Sequence, residues 1–342
     1  MKNFIIIALA LLTLGFSSCN DGGASTLLPN IIGKPGEVVV VVDKAYWENS
    51  VGKALHATLG ANYPAIPQDE GLFTLINVPS LSSTRIFKNH RNVLIIEVSS
   101  EYDKPELVIK RDVWATSQIL LGFTAPDTAS LVACILENGE RMVHTLEQME
   151  RDRTVVRAER SEDKSIRSKI EEVFGGSPCI PRGYKIRKLT DDFAWIQTES
   201  AIRGKYMFQA VFIYKYPYRD STSFSLKSII ERRNNVLQKE VPGYLDGSYM
   251  TTADAILPMI RSIRYKDFHF MEVRGLWEVE NDFQGGPFIS HTFFEKDGAN
   301  LICLEAIVYA PGFDKRNYVR QTEGIIYSFK WKQENPGIAD KN

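Results

Sequence analysis

The sequence is poor in the motifs by which enzymes are usually recognised. Its 342 residues include five histidines, and none lies three to five residues from another, so no helical zinc pair is present. It has no Gly-x-Ser-x-Gly elbow, no phosphate-binding Gly-Lys-Ser/Thr loop and no dinucleotide-binding glycine fingerprint. Catalytic groups can converge from distant positions, so these absences remove the familiar enzyme classes without excluding an enzyme. We predict no metal and no cofactor.

Charge excess, long apolar runs and paired cysteines are also scarce. The formal net charge is −1, which leaves no basic surface of the kind that binds nucleic acid. After Cys19, no apolar run reaches the ~20 residues that a membrane-spanning helix needs. The remaining cysteines are Cys134, Cys179 and Cys303, whose wide spacing fits no zinc or redox motif. We expect them to be isolated buried thiols.

The N-terminus has the pattern of an export signal. Lys2 precedes the apolar run Phe4–Leu14, which is too short to span a bilayer and favours export with removal of the segment. The following residues, Gly15–Cys19, resemble the bacterial lipobox, although Phe16 replaces the usual aliphatic residue. We predict that Cys19 carries the acyl chains of a membrane anchor. The alternative is an ordinary secretory signal with a coincidental cysteine.

Composition divides the chain into five parts. We predict a signal peptide over residues 1–18, a flexible tether over 19–34, an N-terminal α+β domain over 35–150, a charged helical connector over 151–174 and a C-terminal antiparallel α+β domain over 175–333. The charges of Glu150–Lys169 alternate in sign, with few large apolar residues between them. This pattern favours a solvated helix with internal ion pairs over a docking surface.

Hydrophobic periodicity predicts strands that follow strands, with segregated helices. The predicted strands are Glu37–Val42, Leu72–Val78, Asn92–Val98, Leu107–Val113, Gln118–Thr124, Tyr184–Leu189, Phe193–Glu199, Lys205–Tyr218, Phe268–Glu280, Phe288–Glu295 and Leu301–Tyr309. The predicted helices are Tyr46–Leu59, a long helix capped by Asp127, Phe224–Lys239 and one near Phe313–Ile325. The fold class is therefore α+β, with mainly antiparallel sheets, flanking helices and two domains joined by the charged helical segment.

One predicted strand, Lys205–Tyr218, separates aromatic from aliphatic side chains. Its aromatic face contains Tyr206, Phe208, Phe212, Tyr214, Tyr216 and Tyr218, and its other face contains Met207, Val211 and Ile213. Such a row can stack sugar or peptide ligands, but it is more typical of a core.

The segment Arg274–Phe288 is the most distinctive stretch of the second half. On a strand, Glu272, Arg274, Glu278, Glu280 and Asp282 share one face. Such a row of carboxylates can bind calcium, but the arginine among the acids favours the wet face of a half-buried sheet.

The hairpin turn that follows carries chemical groups that could orient a polar ligand. A flat apolar ring, a carboxylate, two unshielded backbone N–H groups and an imidazole lie within one predicted hairpin. The candidate ligand-binding residues are Trp277, Asp282, Gly285, Gly286 and His291. A purely structural turn, in which these groups satisfy one another, is the alternative.

Several stretches resemble an uncharacterised family of predicted lipoproteins from Bacteroidetes-type bacteria. In the second half they are Phe212–Asp220 (FIYKYPYRD), Val241–Thr252 (VPGYLDGSYMTT), Arg274–Phe288 (RGLWEVENDFQGGPF) and Tyr309–Glu323 (YAPGFDKRNYVRQTE); in the first half they are Pro35–Asp43 (PGEVVVVVD) and Trp114–Asp127 (WATSQILLGFTAPD). The resemblance implies a lipid-anchored envelope protein and supplies no activity or catalytic residue. A single acid, Asp21, follows Cys19, which favours an outer-membrane position facing the periplasm over surface display.

These observations favour a non-catalytic envelope lipoprotein. We expect it to contact the membrane through its lipid and to bind an envelope protein or a small ligand, without nucleic acid. The alternative is a hydrolase that acts on an envelope polymer, with its active site near Asp282 and His291.

Overall fold

The computed structural model describes residues 28–79 and 87–333. The predicted signal peptide, Cys19 and the first part of the tether lie outside the described residues. The helices are α1 Lys44–Trp47, α2 Ser50–Thr58, α3 Thr128–Glu137, α4 Gly139–Arg160, α5 Lys164–Phe174, α6 Leu226–Glu240 and α7 Arg316–Tyr327. The strands are β1 Glu37–Val41, β2 Thr74–Val78, β3 Asn92–Val98, β4 Glu106–Arg111, β5 Ile119–Ala125, β6 Gly176–Ser177, β7 Lys185–Leu189, β8 Phe193–Ile202, β9 Lys205–Pro217, β10 Met250–Thr252, β11 Met259–Tyr265, β12 Phe268–Val279, β13 Gly285–Phe294, β14 Asn300–Tyr309 and β15 Lys330–Trp331.

The predicted α+β class is confirmed, and the predicted strands and helices are present with small shifts at their ends. Asp127 caps α3 as expected, because its carboxylate accepts a hydrogen bond from the backbone N–H of Ser130 at 2.9 Å. The predicted helix Tyr46–Leu59 is interrupted between α1 and α2, and the long helix after Asp127 is interrupted at Asn138.

The first five strands form the N-terminal sheet, in the order β2-β1-β3-β5-β4. All neighbouring pairs are parallel except β4 with β5. A mostly parallel sheet is buried on both faces, which explains the uninterrupted β-branched run of β1. Helices α2 and α3 and the first half of α4 cover one face through a core that includes Leu55, Leu131 and Leu146.

The C-terminal sheet is antiparallel throughout, in the order β10-β12-β13-β14-β9-β8-β7, with β11 also paired to β12. One face, here the α6 face, packs the aromatic side of β9 against α6. The opposite face, here the α7 face, packs Val211 and Ile213 against α7 and the second half of α4. The two faces predicted for Lys205–Tyr218 are thus confirmed, and its aromatics are mainly core.

Helix α4 serves both cores. Its first half contributes Met142 and Leu146 to the N-terminal core, and its second half contributes Val155 and Ala158 to the C-terminal core. The prediction of a solvated helix over Glu150–Lys169 is therefore wrong for one side of α4. The helix lies between the two sheets, and the buried charges of this stretch, such as Glu150, pair with neighbours rather than with water.

Within the described ranges, Cys134, Cys179 and Cys303 are buried and form no disulfide with one another, as expected. Across the described ranges, none of the helices combines the length and the apolar character needed to traverse a bilayer.

Candidate ligand groove

The predicted hairpin site lies on β12, β13 and their turn, but the structure does not assemble it. Trp277 is buried on the α6 face opposite Gly286, whereas His291 is buried on the α7 face opposite Glu272. Side chains on a strand alternate between faces, so Trp277 and His291 point to opposite sides of the sheet.

The turn is also distant from the imidazole. His291 follows Gly285 by six residues (291 − 285 = 6), or about 20 Å of extended strand. Asp282 lies in the turn, where its carboxylate accepts a hydrogen bond from the backbone N–H of Phe283 at 2.6 Å. Asp282 and Gly285 are therefore separated from His291, and the five predicted residues do not converge on one site.

His291 is enclosed by aromatic rings. Its ring centroid lies 4.0 Å from that of Phe270 and 4.4 Å from that of Tyr327, and its Nε2 lies 3.5 Å from Glu272 Oε2. Burial lowers the pKa of His291. The adjoining cavity holds about 10 Å³, which is at most one water molecule. The imidazole has no room for a substrate.

Four charged side chains on the α7 face form the buried charge cluster: Arg151, Glu272, Arg274 and Glu323. Arg274 bridges the two carboxylates, at 2.8 Å to Glu272 and 2.7 Å to Glu323. Arg151 lies 3.3 Å from Glu323, and the Tyr327 hydroxyl donates to Glu272 Oε2 at 2.9 Å. Despite burial, Arg274 holds the pKa of both carboxylates below its usual range.

This cluster corrects the prediction for the carboxylate row of β12. Glu272 and Arg274, predicted to lie on a wet face, are almost completely buried, while Glu278 and Glu280 are exposed. The wet-face prediction is wrong for the first two because α7 and α4 cover that part of the sheet with complementary charges. The calcium alternative is not favoured either, since an arginine lies between the two buried acids.

A second buried ion pair lies on the α6 face. Arg233 and Glu305 are completely enclosed, and the guanidinium donates to both carboxylate oxygens at 2.8–3.1 Å. Arg233 Nη1 also donates to Thr252 Oγ1 at 2.8 Å, which ties α6 to β10 as well as to β14. Burial raises the pKa of Glu305, and Arg233 opposes that rise. The pair fixes α6 against the sheet.

Beside the N-terminal half of α6, an open groove of about 510 Å³ is present. Its walls come from the end of β9, the connection to α6 and the outer side of α6: Tyr216, Pro217, Arg219, Asp220, Thr222, Ser223, Ser228, Glu231, Arg232 and Asn235. Its volume is within the ~300–1,000 Å³ typical of small-molecule sites, and its lining is mainly polar. We call it the ligand groove.

Three aromatic side chains form a cluster next to the ligand groove. Phe294 lies edge-on to Tyr218 and Phe224, with centroids 4.9 Å and 5.1 Å apart. Phe294 is 44% exposed although it is a large apolar side chain. Exposed rings beside polar groups are suited to stacking on the flat face of a sugar or another ring.

The charges of the ligand groove are not equally available. Asp220 accepts hydrogen bonds from the backbone N–H and hydroxyl of Thr222, which lower its pKa, and Glu231 lies 3.9 Å from Lys227. Arg232 stacks on the ring of Tyr216, 5.0 Å from its centroid. Arg219 also acts on Asp220 and helps to lower its pKa, whereas Arg232 has no carboxylate within ion-pair distance among the described residues. The groove therefore offers the Arg232 guanidinium as its available cation, beside two acids that already have partners.

Sequence reasoning did not identify this groove. The relevant signal is the polar run Arg219–Ser223, which separates an aromatic strand from an amphipathic helix. In residues 28–79 and 87–333, no group of three or more histidine, cysteine, aspartate or glutamate side chains is arranged to hold a metal ion.

Comparison with known proteins places both halves of the chain among uncharacterised sequences. Residues 163–328 match the model of a domain of unknown function, DUF4837, and residues 32–159 match that of another, DUF8532. No curated protein matches the chain. The expectation of an uncharacterised family is confirmed to this extent: the chain contains two consecutive segments that are each similar to a domain of unknown function.

Proposed function

We propose that this protein is a lipid-anchored binding module of the cell envelope, and that it holds a polar, anionic ligand in the ligand groove. The observation that carries the proposal is the groove itself, a concave polar surface in which the Arg232 guanidinium is available to an anion. The exposed aromatic cluster at its edge favours a ligand that also presents a sugar or another flat ring. A carboxylated saccharide of the envelope combines both features.

The anchoring part of the proposal is supported by the lipobox-like sequence that ends at Cys19. An acyl-linked cysteine would hold the protein at the outer membrane, facing the periplasm. Replacing Cys19 with serine should move the protein from the membrane fraction to the soluble fraction. If Cys19→Ser protein sediments with membranes as the wild type does, the anchor assignment is wrong.

The alternative of a hydrolase has less support. It required Asp282 and His291 to act together, but Asp282 lies in the turn, and the turn is separated from His291 by about 20 Å of strand after Gly285. His291 also faces a cavity with no room for a substrate. The ligand groove, in contrast, is open to solvent and accommodates a ligand without rearrangement of the core.

Calorimetric titration tests the binding part of the proposal. Muropeptides carry carboxylates, and oligomers of N-acetylglucosamine do not, so the two probes separate charge recognition from stacking. We expect muropeptides to bind, and Arg232→Gln to weaken that binding by about tenfold or more, as expected for loss of a charge-assisted contact. Arg264→Gln, on the exposed edge strand β11, is the matched control. Equal binding by wild type and Arg232→Gln would show that the ligand groove is not the binding site.

A further inference from the structure

Three loops lie at one end of the C-terminal sheet, opposite to the end that carries the ligand groove. The strand registers align Trp277 with Gly286 and Tyr309 with Phe208, next to the β8–β9 turn. The loop 241–249, the turn 280–284 and the hairpin tip 202–206 therefore project from the same end. We call this end the rim.

One half of the rim is acidic and apolar. The backbone N–H of Glu280 donates to the carbonyl of Tyr249 at 2.8 Å, so the loop 241–249 lies beside the turn 280–284. Tyr244 is 90% exposed, Leu245 is half exposed and Phe283 is fully exposed. Residues 241–249 and 278–286 contain four acids, Asp246, Glu278, Glu280 and Asp282, and no lysine or arginine.

The other half of the rim is basic and apolar. The tip of the β8–β9 hairpin is Ile202-Arg203-Gly204-Lys205-Tyr206, which contains no acid. Arg203 and Gly204 both have positive φ, at 50° and 74°, as a tight two-residue turn requires, and Arg203 is exposed. Tyr206 is 48% exposed and Ile202 is 36% exposed. This half is complementary in charge to the first.

We infer that the rim binds the rim of a second copy of this chain. A two-fold axis through the end of the sheet brings the acidic half of each copy onto the basic half of the other, so that both contacts form twice. The apolar side chains of both halves then lie between the two copies. This inference is independent of the ligand groove, which lies at the opposite end of β9.

The exposed apolar side chains of the rim supply a large part of such an interface. Stable dimers bury about 1,200–2,000 Å² in total, and each buried aromatic side chain contributes about 150–250 Å². Tyr244 and Phe283 are almost fully exposed and Tyr206 is half exposed, so the six rings of the pair supply roughly 700–1,200 Å², to which Leu245 and Ile202 add. Aromatic anchors with charged residues around them are characteristic of specific interfaces.

Two charge-reversed variants, studied alone and then mixed, test the inference. The full chain is purified in a nonionic detergent, and its oligomeric state is measured by sedimentation velocity. We expect wild type to be dimeric, with dissociation favoured by salt. Asp246→Lys alone and Arg203→Glu alone should each weaken the dimer by about tenfold or more, because each places like charges opposite each other. An equimolar mixture of the two variants should recover the dimer, since each reversed loop then faces a reversed hairpin.

Two further variants separate the rim from general effects on the protein. Phe283→Ser should weaken the dimer, whereas Leu136→Ser, an exposed apolar position on α3, should leave it unchanged. Thermal unfolding checks that each variant is folded. The inference is overturned if wild type stays monomeric at its highest soluble concentration, if Leu136→Ser and Phe283→Ser have equal effects, or if the mixture stays monomeric while both variants are folded.

Discussion

At the scale of single residues, the buried ion pair Arg233–Glu305 allows the destabilisation caused by one unpaired buried charge to be measured. Arg233→Met leaves Glu305 enclosed without its partner, which should lower the free energy of unfolding by about 3–5 kcal/mol at pH 7. The loss should be smaller at low pH, because burial already raises the pKa of Glu305 and a protonated carboxyl needs no cation. Urea denaturation at pH 7 and pH 4.5 measures both effects.

The double variant Arg233→Met, Glu305→Leu serves as the control for that experiment. It removes both charges, so most of the lost stability should return. If the double variant is no more stable than Arg233→Met, the loss of stability comes from the packing around the guanidinium and not from the unpaired carboxylate.

His291 should make the protein less stable in mild acid. Its pKa is lowered by burial, so as pH falls below about 6.5 the unfolded chain binds a proton that the folded chain does not. This one group should reduce the free energy of unfolding by up to about 1.4 kcal/mol per pH unit until its folded pKa is reached. The lowered pKa values of Glu272 and Glu323 extend the loss below pH 4.5.

Stability against pH for His291→Gln measures this contribution. The curve of the variant should be flatter than that of wild type between pH 6.5 and pH 5. His144→Gln, at an exposed position on α4, is the comparison and should keep the wild-type slope. Parallel curves for wild type and His291→Gln would show that the imidazole is not the responsible group.

At the scale of elements, glycines set how closely two strands and two helices approach. An ideal Cβ at Gly286 on β13 would lie 2.1 Å from the carbonyl oxygen of Val308 on β14. Gly286→Ala should therefore cost about 1–3 kcal/mol, because the backbone of the neighbouring strand has to move. Gly122→Ala on β5, where a Cβ meets nothing within 4 Å, is the control in thermal unfolding. An equal effect of the two changes would exclude strand spacing as the cause.

The crossing of α4 and α7 depends on a glycine in the same way. A Cβ at Gly324 would lie 2.5 Å from Cβ of Thr154 and 2.9 Å from its carbonyl carbon. Gly324→Ala should separate the helices and lower the free energy of unfolding by about 1–3 kcal/mol. Gly324→Ala with Thr154→Gly, compared with Thr154→Gly alone, removes the Cβ and Oγ1 of Thr154 from the contact. Full recovery in that pair would assign the contact to the threonine side chain rather than to the backbone.

Strands and helices could be predicted from the sequence more reliably than the tertiary contacts of their buried charged side chains. The two faces of β9 could be predicted because alternation is a local property of the strand. Arg233 lies on the apolar side of α6, where its charge calls for a buried carboxylate, yet Glu305 is 72 residues away and no local pattern identifies it. The burial of Glu272 could not be predicted for the same reason, because the helix that covers it, α7 with Glu323, lies far along the chain and no local pattern identifies it.

At the scale of the whole molecule, the two segments that match separate families are joined by polar contacts as well as by the shared core around α4. Glu70 accepts hydrogen bonds from the backbone N–H groups of Lys315 and Arg316, at 2.5 Å and 2.9 Å. Arg316 and Arg320 donate to the carbonyl groups of Gly71 and Leu72. We therefore expect one cooperative unfolding transition for the described fold.

Tryptophan fluorescence and far-ultraviolet circular dichroism test this cooperativity, because tryptophans lie on both sides of the boundary. Coincident transitions are expected in urea. Glu70→Gln, which removes the charge that caps the start of α7, should lower the midpoint without splitting the transition. Two separated transitions in wild type would show that each half folds independently.

The position of α7 also sets an order of events during synthesis. The second half of α4 buries its charged side against α7, but α7 begins at Arg316, after more than 150 further residues have been made (316 − 160 = 156). At about 5–20 residues per second, that interval is roughly 8–30 s. For that time the first half of the chain is complete but exposes Arg151 and the end of α4 without partners. We therefore expect the N-terminal segment to reach its full native stability only after α7 has been made and packs against α4.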